Sequence, residues 1–196
     1  MLNAGSSSLK LERLPGGLKV SVERLGEAAG AVLNHDNKQQ DLGYVADASD
    51  ALGHVRMHVG QALNLDEIEA VGHRVVHGGE AFTHPVEIDA EVESTIESLS
   101  ELAPLHNPHN LTGIRTAGER LPGLPQFAVF DTGFHGTLPS RARNYAIPPE
   151  VSERHGIRRF GFHGISHEFV ASRAADYLET DVRNLRLISC HLGNGC

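Results

Sequence analysis

The feature that most constrains the fold of this chain is an alternation between two hydrophobic periods, one of two residues and one of about 3.6. Residues 9–14 and 18–25 alternate apolar and polar side chains around a Pro-Gly-Gly turn, which predicts a β-hairpin. Residues 34–41 are polar and predict a loop or a short edge strand. Helix-like and strand-like segments then follow one another, which is typical of an α/β protein whose helices cover a sheet.

Helices are predicted where apolar residues recur at helical spacing behind polar or proline start signals, such as Asp47 and Ser49 before the first helix. Strands are predicted where the residues are β-branched or otherwise apolar over a short run. The predicted helices cover residues 52–63, 89–102, 108–119 and 166–178, and the further strands cover 68–76, 126–131 and 185–190.

Composition excludes several classes of function. The chain has 196 residues, a net charge of −8 and a pI of about 5.9, and an acidic chain lacks the basic face that nucleic-acid binding requires. Its apolar runs are far shorter than the roughly 18 residues of a membrane span. The N-terminus lacks a basic stretch followed by an apolar region, so we expect no secretory leader, and Cys190 and Cys196 lack the pattern of a disulfide framework. We therefore expect a cytoplasmic protein that binds neither nucleic acid nor membranes.

Two basic residues mark candidate anion sites. The segment 3–10 combines Asn3, a glycine, three serines and Lys10, groups that suit a phosphate, although the spacing is not that of a P-loop. A serine-rich turn is an equally good interpretation. Arg74 lies in an otherwise apolar strand, where a guanidinium needs an anionic partner. That partner is either a structural carboxylate or a bound carboxylate or phosphoryl group.

Other motifs place acids and histidines beside predicted strand and helix ends. Asp131 ends an apolar strand, at the edge where α/β proteins bind ligands, although a helix cap is as common there. His163 and His167 are four residues apart and could ligate a metal, but no third ligand has compatible spacing. Hydrogen-bonded loop histidines are therefore favoured. The His-Gly-Gly run at 77–79 is typical of esterase oxyanion loops, yet the sequence lacks the G-x-S-x-G elbow that a serine hydrolase needs.

Taken together, these groups indicate phosphoryl transfer, which uses cationic clamps, a carboxylate and amide-rich turns. Six ordered motifs resemble the acetate and propionate kinase family, which has an actin-like and sugar-kinase-like fold. They are residues 2–10, 72–79, 102–108, 129–132, 159–164 and 191–195.

The resemblance implies a ribonuclease H-like, actin-like ATPase domain with a mixed sheet flanked by helices. Residues 1–134 would form this domain on the substrate side, and residues 135–196 would begin a second, similar, nucleotide-binding domain that is truncated here. The resemblance also implies reversible, ATP-dependent phosphorylation of acetate to acetyl phosphate, by direct in-line transfer with Mg²⁺.

The resemblance further implies a role for each matching residue. Asp131, His163 and Arg74 would be catalytic, Arg74 and His106 would bind the substrate, and Asn3 would help to hold the metal ion. The ATP or ADP phosphates would meet Lys10, Ser6, Ser8, His191, Leu192, Gly193, Asn194 and Gly195.

Acid–base chemistry limits the role that Asp131 can have in this reaction. Acetate is ionised at neutral pH, so Asp131 has no substrate proton to remove and is better suited to orienting Arg74 or metal-bound water. The main barrier is the repulsion between two anions, which Arg74 and His163 would reduce by neutralising the equatorial oxygens of the transferred group.

The family's chains are about twice as long as this one. We therefore expect this chain to be an incomplete piece with little or no kinase activity by itself, and the full-length enzyme to be a homodimer. Two alternatives remain open: a propionate or butyrate kinase, since one methylene changes binding by only about 1–3 kcal/mol, and a non-catalytic module from a split gene.

Overall fold

Eight strands form one mixed sheet in the computed structural model, which describes residues 1–64 and 67–193. The spatial order of the strands is β5-β4-β3-β2-β1-β6-β8-β7. Strands β1 to β5 pair in antiparallel fashion with their sequence neighbours, whereas β1 and β6 run parallel. The strands are β1 (Leu2–Ala4), β2 (Ser8–Glu12), β3 (Lys19–Glu23), β4 (Ala31–His35), β5 (Lys38–Gly43), β6 (Val71–Val75), β7 (Val86–Glu87) and β8 (Gln126–Phe130).

The described helices are divided between two compact units of the chain. The first unit comprises Met1–His77 and Pro85–Val129, and the second comprises Gly78–His84 and the described residues from Phe130 onward. The boundary predicted from the sequence, between residues 134 and 135, stays a prediction about domains. The first unit holds α1 (Ala48–Leu63), α2 (Ala90–Ser98) and α3 (Asn107–Arg120), and the second holds α4 (Ser140–Arg143), α5 (Pro149–His155) and α6 (Gly164–Tyr177).

Helix α1 begins where the sequence predicts it and covers one face of the sheet. The Asp47 side chain accepts hydrogen bonds from the backbone N–H groups of Ser49 and Asp50, at 2.8 and 3.0 Å, and so caps the helix. Buried α1 residues at helical spacing pack against the inward residues of β1 to β4. This core contains Leu2, Ala4, Leu9, Val20, Val22, Leu33, Ala51, Leu52, Val55, Val59 and Leu63.

Helix α3 lies close to strand β1 because Gly113 has no side chain. A Cβ atom at Gly113 would come within 2.7 Å of the Ala4 Cβ atom. Pro108 occupies the first turn of this helix, where a missing N–H costs nothing. The sequence pattern predicted this helix correctly from its proline start.

The structure confirms most of the predicted elements and corrects one. The hairpin is formed by β2 and β3, and residues 34–41 lie largely in β4 and the edge strand β5 rather than in a loop. The predicted strand at 185–190 is wrong, because those residues are irregular. A strand needs a neighbour to accept its backbone hydrogen bonds, and no described strand pairs with this segment. Its apolar side chains are exposed, Ile188 by 90%.

No helix among the described residues has both the length and the apolar character that crossing a bilayer requires.

His73 makes the stability of the first unit depend on pH. It is 1% exposed in β6, and its Nε2 atom lies 2.7 Å from Oε1 of Gln126. Burial lowers the pKa of His73 from 6.5 to about 4. Between pH 6.5 and about pH 4 the unfolded chain therefore binds more protons than the folded chain does. The contribution of His73 to the free energy of unfolding is lost as the pH falls through this window.

We expect the free energy of unfolding to fall by about 2 kcal/mol between pH 7 and pH 5 because of His73 alone. Urea unfolding of the wild-type chain and of His73→Gln at both pH values measures this contribution as the difference between their pH dependences. The same dependence in both proteins would contradict the assignment.

Candidate active site

Asn3, Lys10 and Arg74 lie on the same face of the sheet. Asn3 is the register partner of Lys10 between β1 and β2, and Leu2 is the partner of His73 between β1 and β6. Leu2 and His73 are buried on the helix-covered face, and side chains alternate along each strand. The residues that follow them, Asn3 and Arg74, therefore project from the opposite face. The structure thus brings together three residues that come from two separate sequence motifs.

The turn between β1 and β2 carries the predicted serines. The N–H of Gly5 donates to the carbonyl of Ser8 at 2.8 Å, and the N–H of Leu25 donates to that of Ser7 at 3.0 Å. Ser8 is two residues before Lys10 on β2 and shares its face, while Ser6 is exposed in the turn. Hydroxyls and an ammonium group are therefore available on one face and at its edge, a set that suits a phosphate.

Two buried asparagines of α3 hold the ends of β1 and β6. The Asn110 amide donates to the Ala4 carbonyl at 2.8 Å and accepts from the Val76 N–H at 3.1 Å. The Asn107 amide accepts from the N–H of His77 at 3.1 Å and donates to its carbonyl at 3.0 Å. We call Asn107 and Asn110 the amide clamps. They fix the points where the chain leaves the sheet toward the serine turn and the Gly78-Gly79 loop.

Asn107→Ala is expected to lower the free energy of unfolding by about 2–3 kcal/mol, since it leaves buried backbone groups without partners. Urea unfolding of the chain measures this loss. The matched control is Asn144→Ala, because Asn144 is exposed and should change stability by less than about 0.5 kcal/mol. Equal effects of the two substitutions would show that the clamp contributes nothing.

Two histidines near the clamps differ in their surroundings. His106 is exposed just before α3, and its side chain makes no capping hydrogen bond. His77 is 3% exposed, and burial lowers its pKa, so its imidazole is neutral at pH 7. The predicted role of His106 in substrate binding stays a prediction.

In the second unit, Asp131 is joined to the start of α6 through the backbone. Asp131 follows β8 and is 2% exposed, and its carbonyl accepts the N–H of Gly164 at 2.8 Å. A Cβ atom at Gly164 would lie 2.4 Å from that carbonyl oxygen, so only glycine fits here. Because Gly164 follows His163, the contact places two predicted catalytic residues one backbone hydrogen bond apart.

His163 has a backbone conformation that few residues adopt. Its φ angle is 56° and its ψ angle is 24°, in the left-handed region, immediately before α6. Its ring lies 4.4 Å from the ring of His191, centroid to centroid, at an angle of 31°. Strain of this kind is often kept at functional positions, because the surrounding structure has to maintain it.

The loop before His163 is held by His135. The Nε2 atom of His135 lies 2.9 Å from the Phe162 carbonyl and donates to it. Gly161 has a φ angle of 68°, and a Cβ atom there would come within 2.5 Å of the His135 ring. The close approach of this ring thus requires glycine at residue 161.

Two serine–histidine pairs connect α6 to the segment that follows it. His191 Nδ1 lies 3.0 Å from Ser166 Oγ, and His167 Nδ1 lies 2.7 Å from Ser189 Oγ. The Nδ1 atom of His167 is therefore within hydrogen-bond distance of a serine. In the described part of the chain, no group of three or more His, Cys, Asp or Glu side chains is arranged to hold a metal ion.

The predicted phosphate turn at 191–195 is only partly described. His191 and Leu192 are exposed, and a Cβ atom at Gly193 would meet no other atom within 4 Å. The predictions for Asn194 and Gly195 lie outside the described residues.

Sequence reasoning missed the supporting residues of the site, namely Asn107, Asn110, His135 and Ser189. Asn107 lay inside the 102–108 motif, but its partner His77 is distant in sequence. No local pattern distinguishes Asn110 from other helical asparagines.

The chain is similar to known kinases of short carboxylic acids. The model of the acetokinase family matches residues 1–196. The chain is 46% identical to the acetate kinase of Halothermothrix orenii over 209 aligned residues, which cover 100% of this chain and 52% of that protein. It is 48% identical to the acetate kinase of Oceanobacillus iheyensis, with 99% and 51% covered.

Solved structures agree with the sequence comparisons. The crystal structure of Porphyromonas gingivalis acetate kinase matches with a TM-score of 0.89 and 39% identity, over 99% of this chain and 52% of that one. A propionate kinase from Francisella tularensis matches with a TM-score of 0.85 and 36% identity, over 92% and 48%.

The mixed sheet with flanking helices is thus the actin-like ATPase fold of these kinases, as predicted. The chain spans about half the length of the curated relatives that it matches. It belongs to the acetokinase family.

Proposed function

We propose that this chain contributes to the reversible, ATP-dependent phosphorylation of acetate to acetyl phosphate. The observation that carries the proposal is the single sheet face from which Asn3, Lys10 and Arg74 project. In the reaction an acetate oxygen forms a bond to the γ-phosphorus of ATP while the bond to the leaving ADP oxygen breaks. Family membership supports this reaction class.

Cationic groups lower the main barrier of the reaction, which is the repulsion between two anions as they approach each other. Arg74 offers a planar fork that matches a carboxylate or a phosphoryl group, and it binds acetate or acetyl phosphate in this proposal. His163 donates to the equatorial oxygens of the transferred group. The left-handed conformation of His163 and the support of its loop by His135 favour a fixed imidazole over a mobile one.

Asp131 acts as an orienting carboxylate in this proposal. Acetate brings no proton, so a general base is unnecessary. Asp131 is 2% exposed, and a buried carboxylate holds its hydrogen-bond partners in place more firmly than an exposed one. The partner to be oriented is Arg74 or metal-bound water.

The nucleotide phosphates meet Lys10, Ser6 and Ser8, together with the turn at 191–195, and His106 binds the substrate. Mg²⁺ suits the oxygen donors present, since it commonly takes one or two protein ligands and completes its shell with phosphates and water. Asn3 provides an amide oxygen of this kind. Bound Mg²⁺ would supply positive charge to the phosphates. We further propose that the full-length enzyme is a cytoplasmic homodimer.

Propionate is the second candidate substrate, because a propionate kinase is among the similar structures. One extra methylene changes the binding free energy by about 1–3 kcal/mol. The kcat/KM values for acetate and propionate would therefore differ by no more than about 200-fold. Parallel assays with both acids decide between them.

The test compares the 196-residue chain with a fused enzyme. In the fused enzyme, the part of the Halothermothrix orenii acetate kinase that this chain does not cover is joined to the chain in that relative's order. Acetyl phosphate formation is followed as its hydroxamate. We expect little or no activity from the chain alone or from the added part alone, and ATP- and Mg²⁺-dependent activity from the fused enzyme. A folded but inactive fused enzyme would contradict the proposal. A fully active isolated chain would instead contradict the expectation that this chain is an incomplete piece of the enzyme.

A further inference from the structure

A polar cavity of about 360 Å³ lies within the second unit, and neither Asp131 nor His163 lines it. The residues that line it include Arg143, Arg158, Thr83, Thr132 and Glu80. A volume of this size is within the usual range for small-molecule sites. The cavity therefore stands apart from the residues to which the proposed phosphoryl transfer assigns a role.

The Arg158 side chain has one donor without a partner among the described residues. The side chain is 14% exposed, its NH1 atom pairs with Glu80, and its guanidinium lies 4.9 Å from the centre of the Phe160 ring. Its Nε atom is buried and has no hydrogen-bond partner among the described residues. A buried N–H of a charged group is costly to leave unsatisfied, which makes an acceptor from outside the protein favourable.

Arg143 supplies a second positive charge. It is half-buried beside the cavity, and its side chain forms no ion pair with any residue in the described ranges. Glu80 offsets one of the two arginines, so the walls carry a net charge of +1 from these three groups. The segment 141–159 also contains five arginines and two glutamates, in a chain whose net charge is −8. The local potential therefore favours an anion.

Thr132 adds a neutral donor. Its Oγ1 atom accepts the N–H of Gly78 at 3.0 Å, which leaves the hydroxyl proton free to be donated. Two guanidinium groups and a hydroxyl form a donor-rich wall, and oxyanions such as phosphate and carboxylate bind to donors of this kind.

We propose that this cavity binds the oxyanion group of a small molecule, with Arg143, Arg158 and Thr132 as donors. Glu80 holds the Arg158 guanidinium in place through its NH1 atom. This site is independent of the proposed kinase reaction, because none of its donors has a role there.

The test measures binding of inorganic phosphate to the 196-residue chain by isothermal titration calorimetry, with succinate as a second probe that separates phosphoryl from carboxyl recognition. Arg143→Gln removes one cation. Arg158→Lys keeps the charge and the partner of Glu80 but replaces the planar guanidinium fork with a single ammonium group. We expect each variant to weaken binding of the preferred probe by about tenfold or more. The control Arg154→Gln changes an exposed arginine of the same segment that does not line the cavity, and we expect an effect below about twofold.

Lys10→Gln separates this site from the proposed nucleotide site. Unchanged binding in Lys10→Gln, with weakened binding in the two cavity variants at an unaltered thermal unfolding midpoint, supports the proposal. Loss of binding in Lys10→Gln alone would overturn it, because the anion would then occupy the nucleotide site. Absence of binding by either probe up to about 50 mM would also overturn it, since the cavity would then hold only water.

Discussion

Asp131→Asn in the fused enzyme is expected to lower kcat for acetyl phosphate formation by about 10²- to 10³-fold, while the KM values for acetate and ATP stay within about threefold. Asparagine preserves the shape of the buried side chain but removes the charge that, in the proposed function, orients Arg74 or metal-bound water. The Asp131 backbone carbonyl, which accepts the Gly164 N–H, is unaffected by the substitution. Steady-state kinetics with the hydroxamate assay separates kcat from KM.

The control for this experiment is Asp176→Asn, which changes an exposed carboxylate on α6. It should leave both kinetic constants unchanged. Thermal unfolding of both variants shows whether the protein remains folded. An unchanged kcat in a folded Asp131→Asn enzyme would remove Asp131 from the reaction.

Arg74→Ala is expected to lower kcat/KM for acetyl phosphate by about 10²-fold or more, with only a few-fold change in the KM for ADP. In the proposed function the guanidinium fork binds the acyl phosphate through paired charge-assisted hydrogen bonds, which are among the strongest in proteins. The reverse reaction, with ATP formation coupled to a luciferase signal, measures both constants.

A further variant shows whether Arg74 acts by its charge or by its planar geometry, and another serves as a control. Arg74→Lys keeps the positive charge without the planar fork, and we expect it to restore part of the lost kcat/KM. Arg56→Ala alters an exposed arginine on α1 and should have no effect. Equal losses for acetyl phosphate and ADP in Arg74→Ala would indicate that Arg74 supports the structure of the sheet and has no specific role toward the substrate.

Elements with strong local signals were predictable from the sequence. Helix α1 has an aspartate cap and six buried apolar residues at helical spacing, and α3 has a proline in its first turn, so both form where the pattern indicates. The segment 185–190 has an equally clear strand pattern, yet it is irregular in the described structure. Whether such a segment becomes a strand depends on a pairing neighbour, which local sequence does not specify.

The sequence was sufficient to predict those residues of the candidate site whose type is unusual for their position. Arg74 in an apolar strand and Asp131 at a strand end stand out because charged groups are costly to bury. The residues that support the surrounding backbone were not predictable. Asn110 bonds to the backbone of Ala4, which is 106 positions away in sequence, and such pairs appear only when the chain has folded.

The shared face of Asn3, Lys10 and Arg74 has a consequence for how this chain can change in evolution. Side-chain direction reverses at every residue of a strand. One residue inserted or deleted in β6 before His73 would therefore turn Arg74 into the hydrophobic interior and His73 outward. Length variation is therefore tolerable only in the loops that join the strands. An engineer who wishes to graft a new specificity onto this scaffold should keep β1, β2 and β6 at fixed length and vary the turns between them.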